Sequence, residues 1–263
     1  MDLTISNLVI EVTRKCNMNC SHCLRGASQR KTIPDNYIHK ILQLIDNVYD
    51  LTITGGEPTL AFDSLEQIRN CVIYGNCDVN SFYMVTNGKA INVEKLAQWA
   101  WKMTNCCSDN EMSGIGFSFD DFHTDTLQHR QEAKRYRNFH RLQELLDYDY
   151  GIFDAGAGVN FTRKHSTDNW RADSLIREGR AKDWGGRDND KYYFLEDSYD
   201  DNIIFGETEL YLSCSGYIVS GCNWSYHTID NRKDIRICHI DDINCQDDLI
   251  EAIRVYNKEQ VFV

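Results

Sequence analysis

Residues 16–23, CNMNCSHC, place Cys16, Cys20 and Cys23 at CxxxCxxC spacing, and the fold and chemistry expected of this chain follow from them. Three thiolates this close can face one centre, and cysteine thiolate is the usual ligand of iron–sulfur clusters. Three ligands for a cluster of four irons leave one iron open to a substrate or cofactor. The same residues allow two other interpretations: a tetrahedral zinc site with His22 as fourth ligand, or three buried structural cysteines.

The segments around this motif predict a parallel α/β fold. Over the first two thirds of the chain, short apolar runs alternate with longer amphipathic segments. Each run ends in small, polar or charged residues, and loops at the carboxyl ends of the strands build the active site of parallel barrels. The predicted strands cover residues 8–12, 51–54, 82–85, 115–119 and 157–161, and the predicted helices cover 37–46, 64–71, 93–101 and 127–146.

The pattern changes after residue 162. Residues 180–200 are charged and contain glycines, which predicts a loop. From Ile203 the sequence alternates again and predicts a hairpin with its turn at Ser215 and Gly216, before a final helix over residues 247–256. We therefore expect a core domain over residues 1–200 and an extension, residues 201–263, packed on it.

The length, charge and composition of the chain limit the classes of protein to which it can belong. The 263 residues suffice for one large domain, alone or with a short appendage. The formal net charge of -12 disfavours a large nucleic-acid surface, which would be basic. No apolar run approaches the ~20 residues of a membrane helix, and the first residues lack the pattern of a signal peptide. We expect a cytoplasmic protein, whose eleven cysteines bind metal, carry out redox chemistry or fill the core.

A second motif, GGEP at residues 55–58, follows the predicted strand at 51–54. Two glycines let the backbone approach a ligand closely, and the Glu57 carboxylate can accept hydrogen bonds from an ammonium group. CxxxCxxC after a first strand and GGEP after a second together resemble the radical S-adenosylmethionine (SAM) superfamily. The resemblance is clear over residues 7–123 and fainter to residue 185. A zinc site does not predict the second motif.

The resemblance implies a partial (β/α)6 TIM-like barrel with a short C-terminal hairpin-and-helix extension. It also implies a [4Fe–4S] cluster on Cys16, Cys20 and Cys23, whose open iron is chelated by the amino and carboxylate groups of SAM. One electron then cleaves SAM to methionine and a 5′-deoxyadenosyl radical, which abstracts hydrogen from a substrate. Gly55, Gly56 and Glu57 are expected to bind the SAM amino group.

Further residues carry roles that the resemblance implies. The TNG segment with Asn87 ends the third strand, and Ser118 and Asp120 end the fourth, where polar groups suit SAM. Asp121 and His123 then face the substrate and are the candidate catalytic residues. His22 replaces an aromatic residue near the adenine, and Arg180, in a GRA segment, can pair with the SAM carboxylate. Each also has an ordinary interpretation, as a turn, a surface histidine or a helix-terminal cation.

Four cysteines near the C-terminus, Cys214, Cys222, Cys238 and Cys245, are candidate ligands of an auxiliary metal. The segment CSGYIVSGC resembles the start of the extension in peptide-modifying radical SAM enzymes, but the dense run of cysteines that follows there is missing. The spacings fit no tight metal template, so isolated core or surface thiols are the alternative.

The function expected from the sequence is reductive SAM cleavage acting on a peptide or a small natural-product precursor. The electron donor is expected to be a flavodoxin or ferredoxin. The alternatives are an activase that makes a glycyl radical on a partner protein, and a non-enzymatic zinc-binding structural protein.

Overall fold

The computed structural model describes residues 2–109, 113–118, 129–146, 163–164, 177–180, 193–199 and 201–261. Nine strands in these ranges form one sheet in the order β5-β4-β3-β2-β1-β7-β8-β9, with β6 also paired to β7. The strands are β1 (Asp2–Thr13), β2 (Asn47–Gly55), β3 (Asp78–Thr86), β4 (Gly114–Ser118), β5 (Arg163–Lys164), β6 (Leu195–Tyr199), β7 (Asn202–Leu212), β8 (Tyr217–Ser220) and β9 (Arg236–His239).

Six α-helices within these ranges accompany the sheet. They are α1 (Asp35–Leu44), α2 (Phe62–Tyr74), α3 (Val93–Thr104), α4 (His129–Glu144), α5 (Tyr226–Asn231) and α6 (Gln246–Val261). Helices α1 to α4 pack on one another in chain order. None of the helices in the described ranges combines the length and apolar character that crossing a bilayer needs.

The predicted fold class is confirmed as an open, partial TIM-like α/β sheet. The pairs β1–β2, β2–β3, β3–β4, β4–β5 and β1–β7 are all parallel, so six parallel strands run side by side. The central strand β1 is buried on both faces, with Leu3, Ile5, Leu8 and Ile10 fully inaccessible. Such double burial is expected of parallel strands that helices cover.

Most sequence-predicted elements lie inside longer observed ones. The strand predicted at residues 8–12 lies within β1, because polar residues early in β1 interrupt the apolar run without ending the strand. The predicted C-terminal hairpin is formed by β7 and β8, which are antiparallel, and Gly216 in its turn has φ +83°. The strand predicted at residues 157–161 lies outside the described residues.

In the C-terminal third, one prediction is wrong and one strand pairing was not predicted. The loop predicted over residues 180–200 is wrong for Leu195–Tyr199, which form β6 and pair antiparallel with β7. This strand is exposed and charged, so its composition is that of a loop. The structure also adds β7 to the main sheet beside β1. Strands on both sides of residue 200 therefore share one sheet, and the division into two domains there stays a prediction.

A buried ionic network fastens the extension to β1. The Arg14 guanidinium binds the Glu11 carboxylate at 2.6 Å and both carboxylate oxygens of Asp230 at 2.5 and 3.0 Å. The Arg14 and Glu11 side chains are completely buried. Glu11 also accepts hydrogen bonds from the Tyr211 hydroxyl at 2.5 Å and the Cys214 amide at 3.1 Å. The network thus joins β1, the β7–β8 hairpin and α5.

Replacing Arg14 tests this connection. Arg14→Met should lower the free energy of unfolding by about 3–5 kcal/mol, because it leaves the Glu11 carboxylate buried without its cation. Urea unfolding under anaerobic conditions measures the change. The matched control is Arg232→Met, which breaks the exposed pair with Asp234 and should cost about 0–1 kcal/mol. Equal small losses in both variants would contradict the role given to the network.

Candidate functional site

A cavity of about 420 Å³ lies at the carboxyl ends of the first four strands. It gathers the three motif cysteines together with side chains from the ends of β2, β3 and β4. Asp120, Asp121 and His123 lie outside the described residues. The predicted site residues that line the cavity are Cys16, Cys20, His22, Cys23, Gly55, Gly56, Glu57, Asn87, Ser118 and Arg180.

The cysteine loop begins where β1 ends and is closed at its base. The Arg14 amide donates to the Lys31 carbonyl at 3.0 Å, and the Gln29 amide donates to the Arg14 carbonyl at 3.0 Å. The Cys16 amide donates to the Ser28 hydroxyl at 2.9 Å. The returning segment therefore fixes both ends of the loop that carries the three thiols.

The three thiols differ in their surroundings. Cys20 is buried, whereas Cys16 and Cys23 are partly exposed to the cavity. Burial raises the pKa of the Cys16 thiol, and the nearby Glu57 carboxylate adds to this, while the Met18 amide acts in the opposite direction. That amide lies 3.4 Å from the Cys16 sulfur. Metal binding deprotonates such thiols, so cluster assembly at this loop should release protons.

The donor set fits an iron–sulfur cluster. In the described part of the chain, no three His, Cys, Asp or Glu side chains are grouped to hold a single metal ion. A [4Fe–4S] cluster does not require such a group, because each thiolate binds a different iron. Three thiols that line one cavity from a single loop are the ligands that a cluster with one open iron needs.

The two glycines of GGEP let the end of β2 approach the beginning of the cysteine loop. The Gly56 amide donates to the Thr13 carbonyl at 2.7 Å, and the Glu57 amide donates to the Lys15 carbonyl at 2.8 Å. A Cβ on Gly56 would lie 2.4 Å from the Lys15 carbonyl oxygen, a distance that no side chain tolerates. The close approach expected of these glycines is thus made, in the structure, to the cysteine loop itself.

The Glu57 carboxylate joins the ends of two strands. One oxygen accepts hydrogen bonds from the Thr59 hydroxyl at 2.6 Å and the Thr86 hydroxyl at 2.7 Å. The other accepts from the Asn87 amide at 2.7 Å. The residue is only 1% exposed. Both oxygens are engaged within the protein, so the contacts assign Glu57 a structural role, and its expected bond to the SAM ammonium stays a prediction.

Asn87 links the third strand to the cysteine loop. Its side-chain nitrogen donates to the Asn17 side chain at 2.9 Å and lies 3.9 Å from the Cys16 sulfur. The backbone carbonyl oxygen of Asn87 accepts a hydrogen bond from the Arg135 Nε at 2.6 Å. Arg135 also donates a hydrogen bond to the Ser118 backbone carbonyl. Asn87 is therefore held from several sides while its side-chain nitrogen faces the sulfur of a motif cysteine.

Arg180 is anchored on the cysteine loop. Its amide donates to the Cys23 carbonyl at 2.9 Å, and its guanidinium donates to the Asn19 side chain. The preceding residue, Gly179, has φ +57°, and a Cβ there would lie 2.2 Å from the Leu24 carbonyl oxygen. Only glycine permits this packing, which brings Arg180 to the cavity across a long separation in sequence.

The structure does not bring the four C-terminal cysteines together. Cys214 lies in the main core, and its thiol donates to the Glu11 carbonyl at 3.0 Å. Cys222 packs with a separate apolar cluster, and burial raises its pKa to about 11. Burial likewise raises the pKa of Cys238 to about 12, whereas Cys245 is exposed. An auxiliary metal on these residues stays a prediction.

Two arginines at the site were not predicted from the sequence. Arg135 is fully buried in the charged helix α4, and its spacing from the buried Phe139 and Leu142 places it on the apolar face. The helical spacing of these three residues in the sequence could therefore have indicated that Arg135 is buried. Arg25 follows the last motif cysteine by two residues and lines the cavity. No local pattern distinguishes it from a surface arginine.

A conservative replacement tests the role of Glu57. Glu57→Gln turns one accepting oxygen into an amino group that opposes the Asn87 amide, so we expect a loss of about 1.5–3 kcal/mol in unfolding free energy. Urea unfolding and iron retention are the measurements, with the exposed Glu94→Gln as control. A Glu57→Gln variant of unchanged stability and iron content but weaker SAM affinity would instead indicate direct SAM contact.

Comparison with known proteins identifies the fold and family. The structure of anSMEcpe with bound AdoMet and Cp18Cys peptide is similar over 98% of this chain and 83% of that chain, with a TM-score of 0.53 and 14% sequence identity. At this identity the similarity concerns the fold alone.

The curated relatives match a short stretch. An uncharacterized protein of Methanocaldococcus jannaschii is 34% identical over 100 residues, which cover 36% of this chain and 34% of that protein. A probable GTP 3′,8-cyclase of Pyrococcus abyssi is 31% identical over 91 residues, 33% of this chain and 28% of that protein. The matched stretches thus span about a third of these relatives.

A family model matches a longer stretch of the chain than these two relatives do. The model of the Radical SAM superfamily matches residues 10–151, more than half of the chain, and this range contains the three motif cysteines and GGEP. Members of this superfamily use a [4Fe–4S] cluster and SAM. The chain belongs to the radical SAM superfamily.

Proposed function

We propose that this enzyme binds a [4Fe–4S] cluster through Cys16, Cys20 and Cys23, and uses SAM to generate a radical that abstracts hydrogen from a peptide or a small natural-product precursor. The three thiols line one cavity together with the GGEP segment, and this shared cavity supports the proposal. The chemistry that the bound cluster supplies is one-electron cleavage of SAM to methionine and a 5′-deoxyadenosyl radical.

The chain's own residues have distinct tasks in this proposal. Gly55 and Gly56 present the end of β2 to the SAM methionine moiety, and Glu57 keeps that end in register with β3. Arg180 receives the SAM carboxylate. Its Nε is buried and has no hydrogen-bond partner in the part of the chain that the structure describes, which supports this role.

Other cavity residues complete the proposed SAM site. Ser118 ends β4 at the cavity wall, where its hydroxyl suits a ribose hydroxyl. His22 lies beside the third cysteine, where its ring suits the adenine. Asp120 is proposed as a further SAM ligand, and Asp121 and His123 as the residues that face the substrate.

The partners follow from the same chemistry. The cluster needs a one-electron donor, for which a flavodoxin or ferredoxin is proposed. Between the two substrate classes, the β7–β8 hairpin favours a peptide, because this segment carries the resemblance to peptide-modifying members. The net charge of -12 disfavours a nucleic acid.

Replacing a motif cysteine tests the proposed reaction. Anaerobically reconstituted wild type should hold about four irons per chain and form 5′-deoxyadenosine when dithionite and SAM are added. Cys23→Ala should abolish 5′-deoxyadenosine formation. The matched control, Cys106→Ala, removes another partly exposed thiol that does not line the cavity, and should retain activity.

Other metal contents would change the assignment. Zinc without iron, and no SAM cleavage, would contradict the proposed function and indicate a structural metal protein. Full cleavage activity in Cys23→Ala would contradict the cluster ligands. About eight irons per chain would add a second cluster and would return the C-terminal cysteines to consideration as ligands.

A further inference from the structure

Arg25 is a cation beside the cysteine loop that no carboxylate among the described residues neutralises at close range. It lines the cavity of the three thiols, and it also lines a neighbouring cavity of about 600 Å³ between the loop and α5. Its Nη1 donates to the Trp224 carbonyl at 2.7 Å, and its guanidinium lies 4.9 Å from the centre of the Tyr211 ring. Within the described ranges, no carboxylate oxygen lies within ion-pair distance of Arg25.

The extension holds Arg25 from two directions. The Trp224 carbonyl and the Tyr211 ring fix its side chain, and the Tyr226 amide donates to its backbone carbonyl at 3.1 Å. Tyr211 is in β7 and is completely buried, and Trp224 is 1% exposed. The position of the guanidinium relative to the thiols is therefore set by the C-terminal segment and not by the loop alone.

Arg14 provides a comparison, because it is a buried cation whose charge is paired with carboxylates. Arg14 binds two carboxylates, Glu11 and Asp230. An arginine guanidinium keeps its charge in proteins, so Arg25 brings a positive charge to the wall of the cavity. A partly buried cation without a paired anion is costly. An anion bound in the adjoining cavity would offset that cost.

The iron–sulfur cluster of this family supplies that anion. Three thiolate ligands make the cluster site negative, and reduction adds another electron. We propose that the C-terminal extension holds Arg25 as the cation that compensates the charge of the cluster and thereby raises its reduction potential. The inference rests on the cluster assigned under the proposed function. The C-terminal extension then has a role at the cluster of Cys16, Cys20 and Cys23, and this role does not require the extension to bind a metal of its own.

A redox titration followed by electron paramagnetic resonance tests the proposal on the reconstituted full-length protein. Arg25→Gln removes the charge, and Arg25→Lys keeps it. The matched control is Arg232→Gln, because Arg232 also stacks on an aromatic ring of the extension, Trp224, but pairs with Asp234 and does not line the cavity. Charge is a main determinant of cluster potential, along with hydrogen bonds to sulfur and solvent exposure.

The expected result is an order among the variants. Arg25→Gln should lower the ratio of reduced to oxidised cluster about tenfold at a fixed potential, a shift of ~59 mV to more negative midpoint for a one-electron couple. Arg25→Lys should retain most of the wild-type midpoint, and Arg232→Gln all of it. If Arg25→Gln assembles no cluster, an intact Arg25→Lys midpoint supports the proposal, and loss of the cluster in both variants overturns it.

Three results separate this inference from the proposed function. An unchanged midpoint in Arg25→Gln, with wild-type formation of 5′-deoxyadenosine, overturns the inference and leaves the proposed function standing. Equal shifts in Arg25→Gln and Arg25→Lys also overturn it, because a packing role would then explain both. A wild type that holds a cluster but does not cleave SAM contradicts the proposed function, while the order of midpoints still decides the role of Arg25.

Discussion

The arrangement of the site depends on one buried carboxylate. Glu57 has to accept hydrogen bonds from Thr59, Thr86 and Asn87, because a carboxylate that is 1% exposed is stable only when its oxygens are satisfied. That requirement fixes the end of β2 against the end of β3. The adjoining glycines then bring the same segment onto the backbone that enters the cysteine loop. The GGEP motif therefore shapes the cavity before any ligand enters it.

The second constraint is the buried network of Glu11, Arg14 and Asp230. The network begins on the strand that leads into the cysteine loop, and it ends on Asp230 in the C-terminal segment. The C-terminal segment therefore helps to position the loop that carries the three thiols. The pairing of β7 with β1 has the same consequence, because it extends the main sheet with a strand from the end of the chain. Through Tyr211 and Trp224, this segment also orients Arg25, and so the extension acts on the cavity through charge as well as through packing.

The sequence predicted what depends on local pattern. CxxxCxxC, GGEP and TNG each follow an apolar run, and parallel strands bring the ends of such runs to one edge, so the convergence of Cys16, Glu57 and Asn87 was predictable. Partnerships between distant segments were not predictable. The exposed strand β6 has the composition of a loop. The residues of β7 and β1 contain no local pattern that indicates which strand each one pairs with. The engagement of Glu57 within the protein and the placement of Arg25 likewise depend on contacts that arise only in the folded chain.

Low-temperature electron paramagnetic resonance of the reduced, reconstituted protein, recorded with and without SAM, shows whether the three-cysteine cavity holds a cluster whose open iron binds SAM. We expect the signal of a reduced [4Fe–4S] cluster whose g values change when SAM is added, because SAM alters the coordination of one iron. A reduced cluster whose signal is indifferent to SAM, or a protein that assembles no cluster, would contradict this expectation.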